Sequence, residues 1–288
     1  MCDEFIHPGL ITDSRLSRRS FGALALGAGA VAASPALAQS TVNETDVMVK
    51  TPDGSCDAVL FTPKAEGQFP AVLVWPDIMG LRPAFRDMGR RLSAEGYVVL
   101  VPNPFYRSAK APVITDGANF GDPATRTRLT GYRQAMSDQG IDNDAKAYLA
   151  FLDAQAKTAI AKKAGVQGYC MGGALSFRTA AAVPGRIAAV GSFHGGNGLV
   201  TKEADSPHLL IAKTNAAFLV CQAQNDDRNA PSVKDDLKAA FAAAHKTATV
   251  EVYAADHGWC VKGSAVYNEG EAERAWSNLN KLYKTQLA

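Results

Sequence analysis

From about residue 42 the chain alternates short, β-branched apolar runs with stretches whose apolar residues recur at helical spacing. That rhythm belongs to an α/β protein with a mostly parallel sheet. Val47 to Thr51 and Ala58 to Thr62, with Asp53-Gly54 between them, predict an opening antiparallel hairpin. Ala71 to Trp75 and Tyr97 to Val101 are continuous apolar runs, as expected of strands covered on both faces. Between them Pro83 to Glu95 predicts a helix, closed by Gly96 at the left-handed cap position. Residues 104 to 123, rich in Pro, Gly, Ala and polar groups, predict a long rim loop or lid. The pattern then gives a helix over Asp144 to Ala156, a strand over Gly165 to Tyr169, a helix over Gly172 to Ala182 and a strand over Ile187 to Phe193. The last strands are Ala217 to Gln222 and Thr249 to Ala254, separated by a helix from Pro231 to Ala244. A closing helix runs from Glu269 to Tyr283.

The first 38 residues break this rhythm. Ser17-Arg18-Arg19-Ser20-Phe21 precedes a Gly/Ala-rich run from Gly22 to Ala33 and then Ala36-Leu37-Ala38, a small-x-small cleavage pattern. Basic pair, apolar stretch and small-residue site in that order read as an export signal of the twin-arginine type. The expectation is a signal peptide over residues 1–38, engaging the twin-arginine export machinery, and a single domain over 39–288 working in the periplasm or as a secreted protein. A length of 288 residues, 47% of them apolar, suits one large core. Thirty basic against 28 acidic side chains give a net charge of +2, which offers nucleic acid and anionic membrane no special attraction. The mature part carries no apolar run long enough to span a bilayer. Cys2 falls in the leader; Cys56, Cys170, Cys221 and Cys260 are scattered, without the spacing of a disulfide framework or a zinc site. A Cys221–Cys260 bridge stays open. No metal or organic cofactor is implied.

The chemistry concentrates at Gly168-Tyr169-Cys170-Met171-Gly172, a G-x-nucleophile-x-G pattern with cysteine at its centre, between a predicted strand and a predicted helix. In that setting the nucleophile sits on a sharp turn where side chains two residues to either side would strike backbone. The helix that follows aims its first amides at the site, favouring a thiolate and a developing oxyanion. The alternative is a packed, inert thiol in a Gly-rich turn. A working nucleophile needs a base and an orienting acid, in chain order acid then histidine, each after a later strand. Asp226 follows the strand 217–222, with Asp227 a one-residue alternative, and His257 follows the strand 249–254. Of the five histidines only His257 stands at that position.

With Cys170 in G-Y-C-M-G-G, Asp226 in Q-N-D-D and His257 in D-H-G, the chain resembles the dienelactone hydrolase (carboxymethylenebutenolidase) family of α/β-hydrolases, from about Val47 to Tyr283. The resemblance implies an α/β-hydrolase fold with an eight-stranded, mostly parallel sheet flanked by helices, and a Cys170-His257-Asp226 triad that cleaves activated esters or enol-lactones, including carboxylate-bearing ones. It places the oxyanion hole at the amides of Ile78 and Met171. Trp75-Pro76-Asp77-Ile78-Met79-Gly80 is similar to a family segment in which a glutamate contacts the resting thiol, so Asp77 takes that place one methylene short. Asn103-Pro104-Phe105-Tyr106-Arg107 is similar to a segment whose arginine holds a substrate carboxylate, which gives Arg107 that role. Tyr169 and His194 complete the candidate substrate-binding or thiol-modulating set, His194 being open between a polar contact and a strand-end residue satisfied by backbone. A second family arginine, four residues after the histidine, is replaced by Val261, with Lys262 beside it. That departure leaves room for a broad carboxylesterase with a non-dienelactone substrate, and beyond it for a non-catalytic binder of a small acid.

Overall fold

The computed structural model describes residues 41–115 and 117–288; the export-signal reading of residues 1–38 lies outside them. The hairpin is longer at both ends than the alternation predicts: β1 (Val42–Thr51) and β2 (Gly54–Pro63) pair antiparallel from Val42 opposite Pro63 to Thr51 opposite Gly54. β3 (Ala71–Trp75), β4 (Val98–Pro102), β5 (Ala164–Tyr169), β6 (Ile187–Phe193), β7 (Ala217–Ala223) and β8 (Ala248–Tyr253) follow. All eight strands form one sheet in the order β1-β2-β4-β3-β5-β6-β7-β8, parallel from β4 onward.

Every residue of β3, β4 and β5 is buried, so alternate side chains feed two cores. Leu73 and Trp75 point into one, with α3 (Asp138–Asp153), α4 (Met171–Ala182) and α7 (Val233–Ala243). Val72 and Val74 point into the other, covered by α1 (Pro83–Ala94) and α8 (Glu269–Gln286). This double cover is why the strands read as unbroken apolar runs. Some buried polar groups tie the layers together: Trp75 Nε1 donates to Thr179 Oγ1 at 2.9 Å, fixing α4 on β3. Gln167 of β5 donates to the Tyr169 hydroxyl and accepts from that of Tyr283.

Two expectations need correction. Residues 104–123 are not a lid: Phe105, Val113 and Phe120 are buried, and Asp57 pins the segment through Asn103 Nδ2 (2.9 Å) and the Ala111 amide (2.8 Å). A helix absent from the pattern, α2 (Pro123–Gln134), follows it, and α3 begins six residues before the expected Asp144.

Candidate active site

β5 runs directly into Cys170, which leads α4 with φ 55° and ψ −119°. Few residues other than glycine adopt such a conformation, and it holds the thiol on the outside of a sharp bend. The flanking glycines are required by contact. A Cβ on Gly168 would lie 1.8 Å from the Gly172 carbonyl oxygen, and one on Gly172 would lie 2.5 Å from that of Trp75 and 2.7 Å from that of Pro76. The start of α4 is thus pressed against the end of β3, which brings the loop through Ile78 beside Met171.

β7 ends at Ala223, and Asp226 stands in the first turn of α6 (Gln224–Asn229). His257 follows β8, and its Nδ1 donates to Asp226 Oδ2 at 2.8 Å, both side chains being almost wholly buried. Asn225 Oδ1 accepts from the His257 amide at 2.8 Å and locks the loop to α6. Burial alone draws the imidazolium pKa down, but the charge of Cys170 and that of Asp226, with hydrogen bonds from both, outweigh it and raise His257 to about 10. Cys170, His257 and Asp226 therefore meet in one water-poor cluster. Asp227 is turned away to Lys234 (2.7 Å) and Asp256 to Gln224 (3.1 Å), so Asp226 is the one of these three that touches the His257 ring. Among the described residues no group of three or more His, Cys, Asp or Glu side chains is arranged to hold a metal ion.

Each of the remaining candidates has neighbours of its own. Asp77 is buried, but its two oxygens accept from Arg82 Nη1 and Nη2 at 2.6 and 2.7 Å and from the Met79 amide at 2.9 Å. It braces the Ile78 loop. Arg107 is bound on both sides, to Asp144 Oδ2 at 2.7 Å and Asp53 Oδ2 at 2.6 Å. Burial lifts the Asp144 carboxyl, and Arg107 and Tyr106 oppose that rise. Arg107 is thus held by two carboxylates in this structure. Val261 is buried in the α1/α8 core, and Lys262 lines a separate 280 Å³ cavity there with Tyr169 and Cys260. Tyr169 stacks on Phe193 at 4.9 Å in that same core. His194, at φ 41°, donates its amide to the Cys221 carbonyl (2.8 Å) and packs its ring 4.8 Å from that of His257. Cys221 and Cys260 are free thiols.

A cleft of about 560 Å³ opens at Ile78 and Met171 and runs outward over α4. Its walls come from the end of α2, the start of α3 and residues 197–210. Sequence reasoning missed these walls and also Arg82, whose place immediately before the Pro83 helix start was the only available signal.

The sheet order, the strained cysteine between β5 and α4, and an acid and a histidine after β7 and β8 together define an α/β-hydrolase. Residues 56–287 match the model of the dienelactone hydrolase family. The chain belongs to that family, and it is a hydrolase. A protein of Methylorubrum extorquens named as a candidate carboxymethylenebutenolidase is 28% identical over 294 residues, covering 96% of this chain and 95% of its own. The crystal structure of a candidate dienelactone hydrolase from Klebsiella pneumoniae superposes with a TM-score of 0.70 at 23% identity, over 84% of this chain and 98% of that one. A dienelactone hydrolase-like promiscuous phosphotriesterase from metagenomic libraries gives 0.69 at 21% identity, over 86% of this chain and all of that one.

Proposed function

We propose that the protein hydrolyses activated carboxylic esters or lactones through a covalent thioester on Cys170. The observation that carries this reading is the His257 imidazole, joined at 2.8 Å to buried Asp226 and coupled by charge and hydrogen bond to the thiol. Cys170 and His257 form a thiolate–imidazolium pair, which Asp226 stabilises and orients. The thiolate attacks the carbonyl carbon, and the oxyanion is met by the amides of Ile78 and Met171. As the tetrahedral adduct collapses, His257 gives its proton to the leaving oxygen. In an enol-lactone that oxygen stays tethered and tautomerises to a ketone. Water, deprotonated by His257, then attacks the thioester, releasing the acid and restoring the thiolate–imidazolium pair. Good leaving groups suit a thiolate, so amides are poor substrates.

The engagement of Arg107 by Asp144 and Asp53, and the burial of Val261, favour a carboxylesterase whose substrate is no dienelactone. The leader pattern at Arg18-Arg19 supports work outside the cytoplasm after twin-arginine export. The test is turnover of an activated aryl ester and of a dienelactone by wild type, Cys170→Ala and Cys170→Ser. Ester turnover that disappears in the alanine variant is expected. Saturable binding of a small carboxylate with no turnover of either compound would replace this reading with the binding protein.

A further inference from the structure

The face of α4 that borders the cleft carries Met171, Ala174, Leu175 and Arg178, the i, i+3, i+4, i+7 spacing of a single helical stripe. Its first three members are apolar, and Ile141 of α3 and Leu210 bound the same cleft. The apolar floor ends abruptly at Arg178. That guanidinium is shared by Asp142 (2.8 Å), Asp205 (3.1 Å) and Asp138 (3.3 Å), one positive charge among three negative. With Arg133, Lys202 and Glu203, carboxylates and cations in the lining balance three to three, and Asp142, paired to Arg178 from outside the lining, adds a fourth carboxylate. The Asp138 carboxyl is raised above its ordinary value, chiefly by its hydrogen bond with Asp205, as expected where carboxylates crowd together.

The direction of the cleft fixes which part of an ester enters it. Ile78 and Met171 line its inner end, whereas Cys170 and His257 are not among its lining residues. A leaving group must face His257 to receive its proton, so the acyl group is the part that lies along α4. Seven residues from Met171 to Arg178 rise about 10 Å, which matches an extended acyl chain of roughly eight carbons. The volume of about 560 Å³ accommodates such a chain.

Building on the thioester reading above, we propose that the α4 cleft is an acyl-chain site, selecting uncharged straight-chain acyl groups of medium length and rejecting acyl groups that end in a carboxylate. The apolar stripe draws the chain out of water, and the acidic cluster around Arg178 opposes an anionic end.

The experiment is a series of 4-nitrophenyl alkanoates from acetate to dodecanoate, with the 4-nitrophenyl monoester of octanedioic acid alongside. Values of kcat/KM, which report acylation, are measured on wild type, Ala174→Trp, Ala174→Val and Cys170→Ala. The expected result for wild type is a rise approaching about threefold per added methylene, levelling near eight carbons, with the octanedioate monoester at least tenfold below octanoate at low salt. Ala174→Trp should lower the octanoate-to-acetate ratio by about tenfold, and Ala174→Val by less. Cys170-dependent turnover with a flat or falling length profile in wild type overturns the acyl-chain site and leaves the hydrolase reading intact. So does an octanedioate monoester that matches octanoate. Absence of Cys170-dependent turnover on every ester overturns both. The wild-type series alone decides the matter if the tryptophan variant does not fold.

Discussion

Gly172→Ala tests the oxyanion site without touching the triad. The added methyl group would sit 2.5 Å from the Trp75 carbonyl oxygen and 2.7 Å from that of Pro76. Both are backbone atoms, so no side chain can swing aside. Restoring ordinary contact requires α4 and the end of β3 to separate by roughly 0.7 Å, and misplacement of that order in an active site costs on the order of a hundredfold in rate. Loss of a single oxyanion donor costs about 10²–10³ in kcat, so a fall of about a hundredfold is expected. Overpacking of this kind lowers stability by about 1–3 kcal/mol. Gly185→Ala serves as the control, because nothing lies within 4 Å of a Cβ there. The assay pairs kcat on an aryl ester with a denaturant melt and the alkylation rate of Cys170, which follows the thiolate and not the oxyanion hole. A folded variant with near-normal alkylation and more than a fifth of wild-type kcat would refute the placement of the hole between Ile78 and Met171.

Asp226→Asn should reduce kcat by about 10⁴, the loss known for the equivalent change in a serine triad, while Asp227→Asn, which only frees Lys234, should stay within a few-fold; steady-state kinetics of the two variants decides the acid. The raised pKa of His257 makes stability depend on pH in a defined sense: the contribution is complete below about 6.5, where both states are protonated, and is lost as pH rises through about 10. Denaturant midpoints between pH 6 and 10.5 should fall across that window, and in Cys170→Ala the alkaline edge should move to lower pH because the first of the raising influences is gone. Arg107→Leu should cost about 3–5 kcal/mol by stranding the Asp144 carboxylate, with ester kcat/KM of the folded variant unchanged; a selective loss of activity on carboxylate-bearing esters would return Arg107 to the substrate site.

The sheet and the sharp turn at Cys170 were legible because each has a local signature. β3 to β5 are unbroken apolar runs, and Gly168 and Gly172 announce a turn that no other residue fits. α2 escaped because its sequence, PATRTRLTGYRQ, buries only Leu129 and so shows no apolar stripe. Its cap was visible all the same: Asp122 accepts from the Thr125 amide at 2.8 Å, with Pro123 in the first turn. The early start of α3 was hidden by the polar run around Gly140, although Ser137 caps it through the Gly140 amide. The ion pairing of Arg107 could not be read from sequence, because its buried partner Asp144 lies 37 positions away in the chain. The α4 stripe could be read as helical, but nothing in the sequence told that Met171, Ala174, Leu175 and Arg178 would face open space and not another helix. Local pattern specifies elements and turns; which charges neutralise which others is decided only on assembly.

The backbone at Cys170 has a further implication. At φ 55° an L-residue bears an energetic burden of about 1–3 kcal/mol, and glycine is the one amino acid that would sit there at ease. Under the proposed thioester mechanism, thermal robustness and reactivity therefore pull in opposite directions at one codon. Selection of variants for heat tolerance alone would drift toward erasing the sulfur, and only a screen that demands turnover in every round would keep it.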